Sequence, residues 1–523
     1  MKIFFVIYFF LLSNLLFAQL EVIKKQELPV IKAIGSNYKF VHLSEKGLFL
    51  MLESEESLRN SKREVLFTKY DTALNRLWSG FISIKYASVM QQHCLDNNDL
   101  YYLIYREEFE YDILKINLET GLMEIVPFEK IMDLKITGFE AAQGVLFLGG
   151  MVDNMPVVLQ YDYKNSSVPK VLSSIFQVKA NLNALVIDQK RESVCVFMTE
   201  KNNTNPDLYF NVYDLEGKLI NKWIKKSSDE QAFLTFKMFA PNSQEQYLFG
   251  TYALGNRSKA QGFYVNRFFN KEESYVYFYD FSYLNNFFNY LGEKRKNNMF
   301  EKIKKRQNKG KTFIHDQQLF LHDLVFGEDK IYLTAESYTS SVQDNSTNSA
   351  YPSSLANSNL IYRGMSGLRS YQPYSSLFST PSRRQNFVYR YKNSVVCGFD
   401  KTGKLLWDNS FEFENLNYPQ LMPILQTGFQ QDSITMLHLQ DKKILFKQTK
   451  NSFAIDSLQK FEPKLIAEGE DLKDSEDENI DFWYGNYFLM HGIQDIKDEE
   501  KQQRRKVFYL AKIGKTNAKK EEK

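Results

Sequence analysis

Apolar and polar residues alternate along this chain in short runs. The runs pair across turns built on Asp, Asn or Gly, and the pairing recurs eight times. The first unit joins Gly47 to Glu53 with Val65 to Tyr70, then turns through Asp71 and Asn75 towards Trp78. The second joins Leu100 to Tyr105 with Tyr111 to Asn117, the third Val145 to Leu148 with Val157 to Asp162, and the fourth Ser193 to Thr199 with Leu208 to Tyr213. The fifth pairs Gln246 to Tyr252 with Gly262 to Phe268. The sixth starts at Lys330 to Leu333 and resumes only at Phe387 to Phe399. The seventh pairs Ser433 to Leu439 with Lys443 to Lys447, and the eighth Asn486 to His491 with Val507 to Ile513. A period of two places one face of each run in a core and the other against a neighbour. Recurrence at about fifty residues per unit predicts stacked four-stranded sheets, an all-β propeller. Eight blades are expected, or seven if the weak fifth or seventh unit is miscounted. A strand near Leu20 to Lys24 is expected to complete the last blade, since closure leaves no long unpaired edge.

Two insertions interrupt the period around the sixth unit. From Tyr283 to Lys311, the residues Leu284, Phe287, Phe288 and Leu291 recur at helical spacing, and Met299 and Ile303 continue the seam. The later half is basic: Lys294, Arg295, Lys296, Lys302, Lys304, Lys305, Arg306, Lys309 and Lys311 stand against Glu293 and Glu301. A docked basic helix is expected, with a face suited to phosphate-rich lipid or an acidic protein. The second insertion, Ser337 to Asn386, holds fourteen Ser, five Tyr, four Arg and one Asp. Loops this long in compact domains are functional or disordered. Its Tyr351, Tyr362, Tyr371 and Tyr374, with Arg363 and Arg369, are the candidate contacts for a partner, because tyrosine offers rigid contact area. An acidic stretch, Glu468 to Asp481, lacks the glycine and ligand register of a calcium loop and reads as a solvated inter-blade connection.

The ends and the composition bear on location. Lys2, the apolar run Ile3 to Leu12 and the sequence to Ala18 have the order of a secretory signal peptide over residues 1–18. The propeller then occupies 19–514, with a charged tail over 515–523. The run is short for a bilayer span, and no later stretch is long and apolar enough. Cys94, Cys195 and Cys397 are too few for a disulfide framework and read as core residues. The formal net charge of +3 argues against a dedicated nucleic-acid binder. His315-Asp316 and His322-Asp323 invite a metal or general-base reading, but seven-residue spacing on a strand separates the imidazoles. No nucleophile elbow, phosphate loop or zinc-spaced Cys pair is present in the sequence, and neither a cofactor nor a metal is assigned.

The segment Asp400-Lys401-Thr402-Gly403-Lys404-Leu405-Leu406-Trp407 is similar to the repeat of PQQ-type propellers, where Asp, Thr-Gly-Lys and Trp follow in that order. The general plan resembles WD40-like repeats as well. The resemblance implies that Trp407, and by a weaker match Trp78, packs between neighbouring blades. Asn75-Arg76 replaces the Gly-Lys before Trp78, and the Asp214 turn keeps Gly217-Lys218 but ends in Leu219-Ile220. It also implies two functional options. Quinone-dependent dehydrogenases of this fold hold a calcium-bound cofactor, many with an adjacent Cys pair that this chain lacks. Periplasmic docking platforms of outer-membrane assembly need neither. The basic helix and Tyr/Ser loop resemble those of a group of exported bacterial propellers. The expected function is therefore a non-catalytic binding platform in the envelope. Its partner would be an envelope protein or surface ligand, met by Tyr351, Tyr362, Tyr371 and Tyr374 with Lys302, Lys304, Lys305 and Arg306. The alternatives are an envelope enzyme acting on glycans or a quinone-dependent substrate, and surface adhesion.

Overall fold

Every hairpin of the sequence becomes the second and third strands of a sheet in the computed structural model. The structure describes residues 20–515, leaving out 31–37, 54–61, 176–178, 201–206, 344–385 and a few one- or two-residue positions, most of them in connections. Residues 1–18, where a signal peptide is expected, and most of the tail fall outside the described residues. Among those described, eight antiparallel sheets follow one another along the chain. Blade one runs Tyr38–His42, Leu48–Glu53, Lys62–Tyr70, Arg76–Lys85 from its inner to its outer strand. Blades two to five occupy 89–126, 135–171, 180–225 and 231–280, blade six 318–418 and blade seven 426–461. In blade six the inner strand is split into Gln318–Leu321 and Val325–Phe326. In blade seven the outer strand is split into Phe453–Ala454 and Gln459–Phe461. Each blade therefore keeps four strand positions. The fifth and seventh units are both blades, so the count is eight.

Blade eight combines Glu470–Tyr484, Tyr487–Asp498 and Arg504–Lys515 with Leu20–Pro29 as its outer strand. Leu20 pairs with Lys515 and Pro29 with Val507. The two ends of the chain thus close the ring in one sheet. The inner strands of blades two and three, three and four, and seven and eight approach one another, which places them about the axis.

Eight apolar clusters hold the ring, each shared by two neighbouring blades. Phe49 and Phe67 of blade one meet Leu100 and Tyr102 of blade two, and Leu437 and Phe446 of blade seven meet Phe488 and Tyr509 of blade eight. The last cluster returns to the start: Trp483, Leu489 and Phe508 of blade eight pack on Phe40, Leu50 and Tyr70 of blade one. Burying each such side chain contributes roughly 1.5–3 kcal/mol. Cys94, Cys195 and Cys397 are free thiols buried in these seams, with Cys94 in the inner strand of blade two. Burial pushes the Cys195 and Cys397 thiols above their ordinary range.

The recurrent turn has one physical design. Asp400 Oδ1 accepts the backbone N–H groups of Thr402 and Lys404 at 2.8 and 2.9 Å, and Gly403 takes φ +78°. Asp71, Asn117 and Asp214 accept equivalent bonds, with Leu74, Gly121 and Gly217 in the left-handed position. Leucine at that position explains why the first unit matches poorly by sequence. The inner strands carry a second repeated device. Their ladders shift register at Met90/Gln92, Ile136/Gly138, Leu182/Ala184 and Phe233/Thr235, the mark of a bulge. In blade five, glycine faces the bulge because a Cβ on Gly250 would meet the Thr235 carbonyl oxygen at 1.8 Å.

Three expectations change. The first insertion is not helical from Leu284. Short turns at Phe281–Tyr283 and Asn289–Leu291 precede a helix, α1, over Glu293–Gln307. The Asp408 carboxylate takes the N–H groups of Asn285 and Asn286 at 2.9 and 2.7 Å, and Gly292 at φ +71° separates the turns from α1. Second, the Ser337 end of the long insertion is strand: blade six runs Lys330–Gln343 against Asn386–Asp400, closing at Gln343↔Asn386. Third, most of the acidic stretch is the inner strand of blade eight. Basic residues of the third strand stabilise it there: Glu470 meets Arg505 at 2.7 Å and Glu476 meets Lys506 at 2.9 Å.

Candidate binding face

Blade six gathers both insertions at one end. Its inner strand begins at Gln318, where the first insertion arrives, and Gln318 pairs with Tyr338 of the second strand. That strand ends at Gln343, where residues 344–385 depart. Antiparallel pairing puts the Asp400–Lys404 turn at the opposite end. From Thr339↔Arg390 to Gln343↔Asn386 the ladder runs five pairs past the inner strand. At about 3.4 Å per residue it projects about 17 Å further.

The root of this hairpin is aromatic. Tyr338 lies 5.8 Å from Tyr389 and 6.3 Å from Tyr391, and Tyr391 lies 6.0 Å from Tyr418. Tyr391 is fixed: its hydroxyl donates to the Met422 carbonyl at 2.6 Å and accepts from the Met422 N–H at 2.8 Å. Burial, reinforced by Tyr389, pushes the Tyr338 phenol up to about 12; burial and the Glu336 carboxylate do the same for Tyr418. These phenols stay neutral donors across the physiological range. Thr339, Ser340, Ser341 and Arg390 are exposed.

The first insertion is clamped against the same blade. Besides the Asp408 bonds, Asn393 Nδ2 donates to the Phe287 carbonyl at 2.8 Å, and Asn289 Nδ2 to Ser410 Oγ at 3.2 Å. Leu284, Phe287 and Phe288 are fully buried in the cluster of blades five and six, and Met299 and Phe300 of α1 pack against it. Ile303 is the buried residue of the helix. Lys302, Lys304, Lys305 and Arg306 point outward and are exposed. Lys392 of the hairpin lies 5.9 Å from the ring of Tyr290. Burial, then the charges of Lys259 and Arg390, push its amine below the ordinary range. Positive charge from two separate segments, Lys259 of blade five and Arg390 with Lys392 of the hairpin, therefore meets at this end.

The structure thus brings the basic helix residues to the end of blade six from which the long insertion leaves. Tyr351, Tyr362, Arg363, Arg369, Tyr371 and Tyr374 fall outside the described residues. Trp407 sits in the cluster of blades six and seven, beside Tyr332 at 6.0 Å and closely over Gly398. Trp78 sits between blades one and two, its Nε1 donating to the Leu118 carbonyl at 3.0 Å. Sequence reasoning missed Lys259, Arg390 and Lys392, which no local pattern marks. The turn before Trp407 is gripped from blade five, where Tyr247, Tyr275 and Tyr279 donate to the carbonyls of Lys401, Thr402 and Gly403.

The paired His-Asp sequences separate. His315 Nε2 lies 2.8 Å from Asp280, the carboxylate that caps the Phe281–Tyr283 turn. His322 Nε2 lies 2.9 Å from Glu336, which also accepts the N–H groups of Ile424 and Leu425 and so ties blade six to blade seven. Asp323 pairs with Lys237 of blade five at 3.1 Å. Among the described residues, no group of three or more His, Cys, Asp or Glu is arranged to hold a metal ion. No described helix is long and apolar enough to cross a membrane.

No protein-family model matches the chain, and no curated protein matches it. Among solved structures it is similar to the β-propeller domain of the Trilobed protease from Pyrococcus furiosus, at 9% identity and a TM-score of 0.38, over 82% of this chain and 98% of that one. It is similar to the polysaccharide lyase Uly1 at 9% identity and 0.37, over 94% and 99%, and to a prolyl endopeptidase at 8% and 0.40, over 90% and 57%. Such distant likenesses transfer no activity, and the fold rests on the sheets and clusters described above.

Proposed function

We propose that this chain is an exported, non-catalytic binding platform of the cell envelope, and that it engages an envelope protein or surface ligand through the projecting end of blade six. The observation that carries this reading is the convergence of both large insertions at one end of one blade, on a ring whose other connections are mostly short. A rigid disc holding elaborated loops is how many scaffolds present binding residues. The aromatic root supports it by anchoring the projecting hairpin in the cluster of blades six and seven, which holds the exposed Thr339, Ser340, Ser341 and Arg390 in place. Export is supported by the sequence of residues 1–18; the closing strand starts at Leu20, so cleavage after Ala18 leaves it whole. The test is co-purification from envelopes with the intact chain and with a chain in which 344–385 is replaced by Asn-Gly. Such a turn suits the ladder that already closes at Gln343↔Asn386. The platform reading expects a partner captured by the intact chain alone. Turnover on a glycan panel by the purified chain would replace it with the enzyme reading.

A further inference from the structure

The positive charge of α1 exceeds what the helix itself can use: Lys304, Lys305 and Arg306 in the last turn suit the helix dipole, and the other cations do not. Residues 293–311 carry nine basic side chains against two acidic ones, in a protein whose whole net charge is +3. Among the described residues, none of the nine forms an ion pair, whereas the acidic strand of blade eight is matched by Arg505 and Lys506. Lys296 turns inward, donating to Asn289 at 2.6 Å, and Arg306 donates to the Thr312 carbonyl at 3.4 Å and stands 6.0 Å from the ring of Phe313. Lys294 and Arg295 occupy the first turn, where the positive end of the helix dipole disfavours cations, and Gly292 offers no side-chain cap. Like charges are thus held together with only partial compensation, from Asp408 beside Lys296 and from Glu293 and Glu301 of the helix.

The chemistry of the face narrows what compensates them. Lys294, Arg295, Lys302, Lys305 and Arg306 fall within about 120° of the helix circumference and span about 18 Å along it, a broad stripe on one side of the helix. The apolar residues Met299, Phe300 and Ile303 are turned into the propeller, and every fully exposed residue of α1 is polar. A membrane-lying helix needs an apolar face free to enter the acyl boundary, and α1 has already spent its own. Three of these five cations, and seven of the nine on the segment, are lysines. Protein interfaces favour Arg and aromatic residues and exclude Lys, a hydrated point charge that responds to charge density rather than to one carboxylate geometry. We infer that this stripe binds an extended anionic polysaccharide bearing carboxylate or sulfate groups along its length. The inference rests on the reading of blade six as the binding face and names the chemistry of one of its ligands.

Affinity electrophoresis of the full chain in gels holding alginate, dextran sulfate or neutral dextran tests it. The comparison is a variant carrying Lys294→Gln, Arg295→Gln, Lys302→Gln, Lys305→Gln and Arg306→Gln. A charge-matched control neutralises the exposed Lys218, Lys222, Lys226, Lys460 and Lys464 of blades four and seven. Retardation by an anionic polymer and not by neutral dextran is expected, weakened at least about tenfold in the helix variant, by less than about twofold in the control, and abolished by screening salt. No retardation of the intact chain, or equal loss in the control, overturns the inference. So does binding to phosphatidylglycerol vesicles without binding to either polymer. If polymer binding fails while replacement of 344–385 still abolishes partner capture, the platform stands and the polysaccharide alone is refuted.

Discussion

Asp481 shows how much of this ring depends on single buried groups. It lies on the inner strand of blade eight, accepts from His491 Nε2 at 3.0 Å, and stands 3.9 Å from His42 Nε2 of blade one. Burial opposes its ionisation, but the neighbouring His42 and the hydrogen-bonded His491 outweigh burial and hold the carboxyl well below the usual carboxylate range. A carboxyl lowered on folding stabilises the fold fully above its unfolded value of about 4, and that contribution fades as pH falls towards the folded value. Asp481→Asn is therefore expected to cost about 3–5 kcal/mol at pH 7. Denaturant midpoints at pH 7 and pH 3 check this: the gap between the two proteins should narrow at the lower pH, and a constant gap contradicts it. None of this was legible in the chain, because His42 and Asp481 are joined only by ring closure. Trp407 was legible, since its turn precedes it in sequence and its packing follows from the strand period.

At the scale of elements, strands of the second and third positions were legible because they alternate cleanly and are joined in most blades by short turns. The inner strands were not. Their repeated bulges break the period of two, and they bury Gln92, Glu140, Asn183 and Lys237 where an apolar residue would be expected. The acidic inner strand of blade eight was hidden for a related reason: its basic partners stand on another strand, at Arg505 and Lys506. The helix boundary was hidden by Asp408, which captures two N–H groups that a helix from Leu284 would have used. Asp408→Ala should free the first insertion by about 1–3 kcal/mol while leaving the ring intact. Limited trypsin digestion should then cut within Lys294 to Lys311 roughly tenfold faster at an unchanged melting temperature. Unchanged cleavage would show that the Phe287 and Phe288 packing holds the insertion unaided.

Across the whole molecule, the parts that hold the ring and the proposed binding face separate. Eight shared clusters distribute the core around the ring, and Leu20–Pro29 supplies the one strand that joins the chain's two ends. Removing 20–29 exposes the edge of Arg504–Lys515, and an exposed edge invites pairing with other chains. The truncated protein is expected to self-associate and to unfold at a clearly lower temperature, which light scattering and a thermal scan would report. A monomer of unaltered stability would mean that the apolar clusters close the ring without the strand. Blade six, in contrast, projects its hairpin beyond the inner strand, so a turn can join Gln343 to Asn386 without altering any described seam residue. Two insertions in one unit were visible in the sequence; their meeting at one end was not, because that follows from strand direction within the blade.

The most direct measurement is quantitative recovery of bound material from envelopes by the intact chain and by the chain in which 344–385 is replaced by Asn-Gly, with melting temperatures recorded for both. The account predicts equal melting to within a few degrees and a partner retained by the intact chain alone. Equal recovery by both chains, or a cooperative loss of fold on replacement, would contradict the assignment of the blade-six end as the binding face.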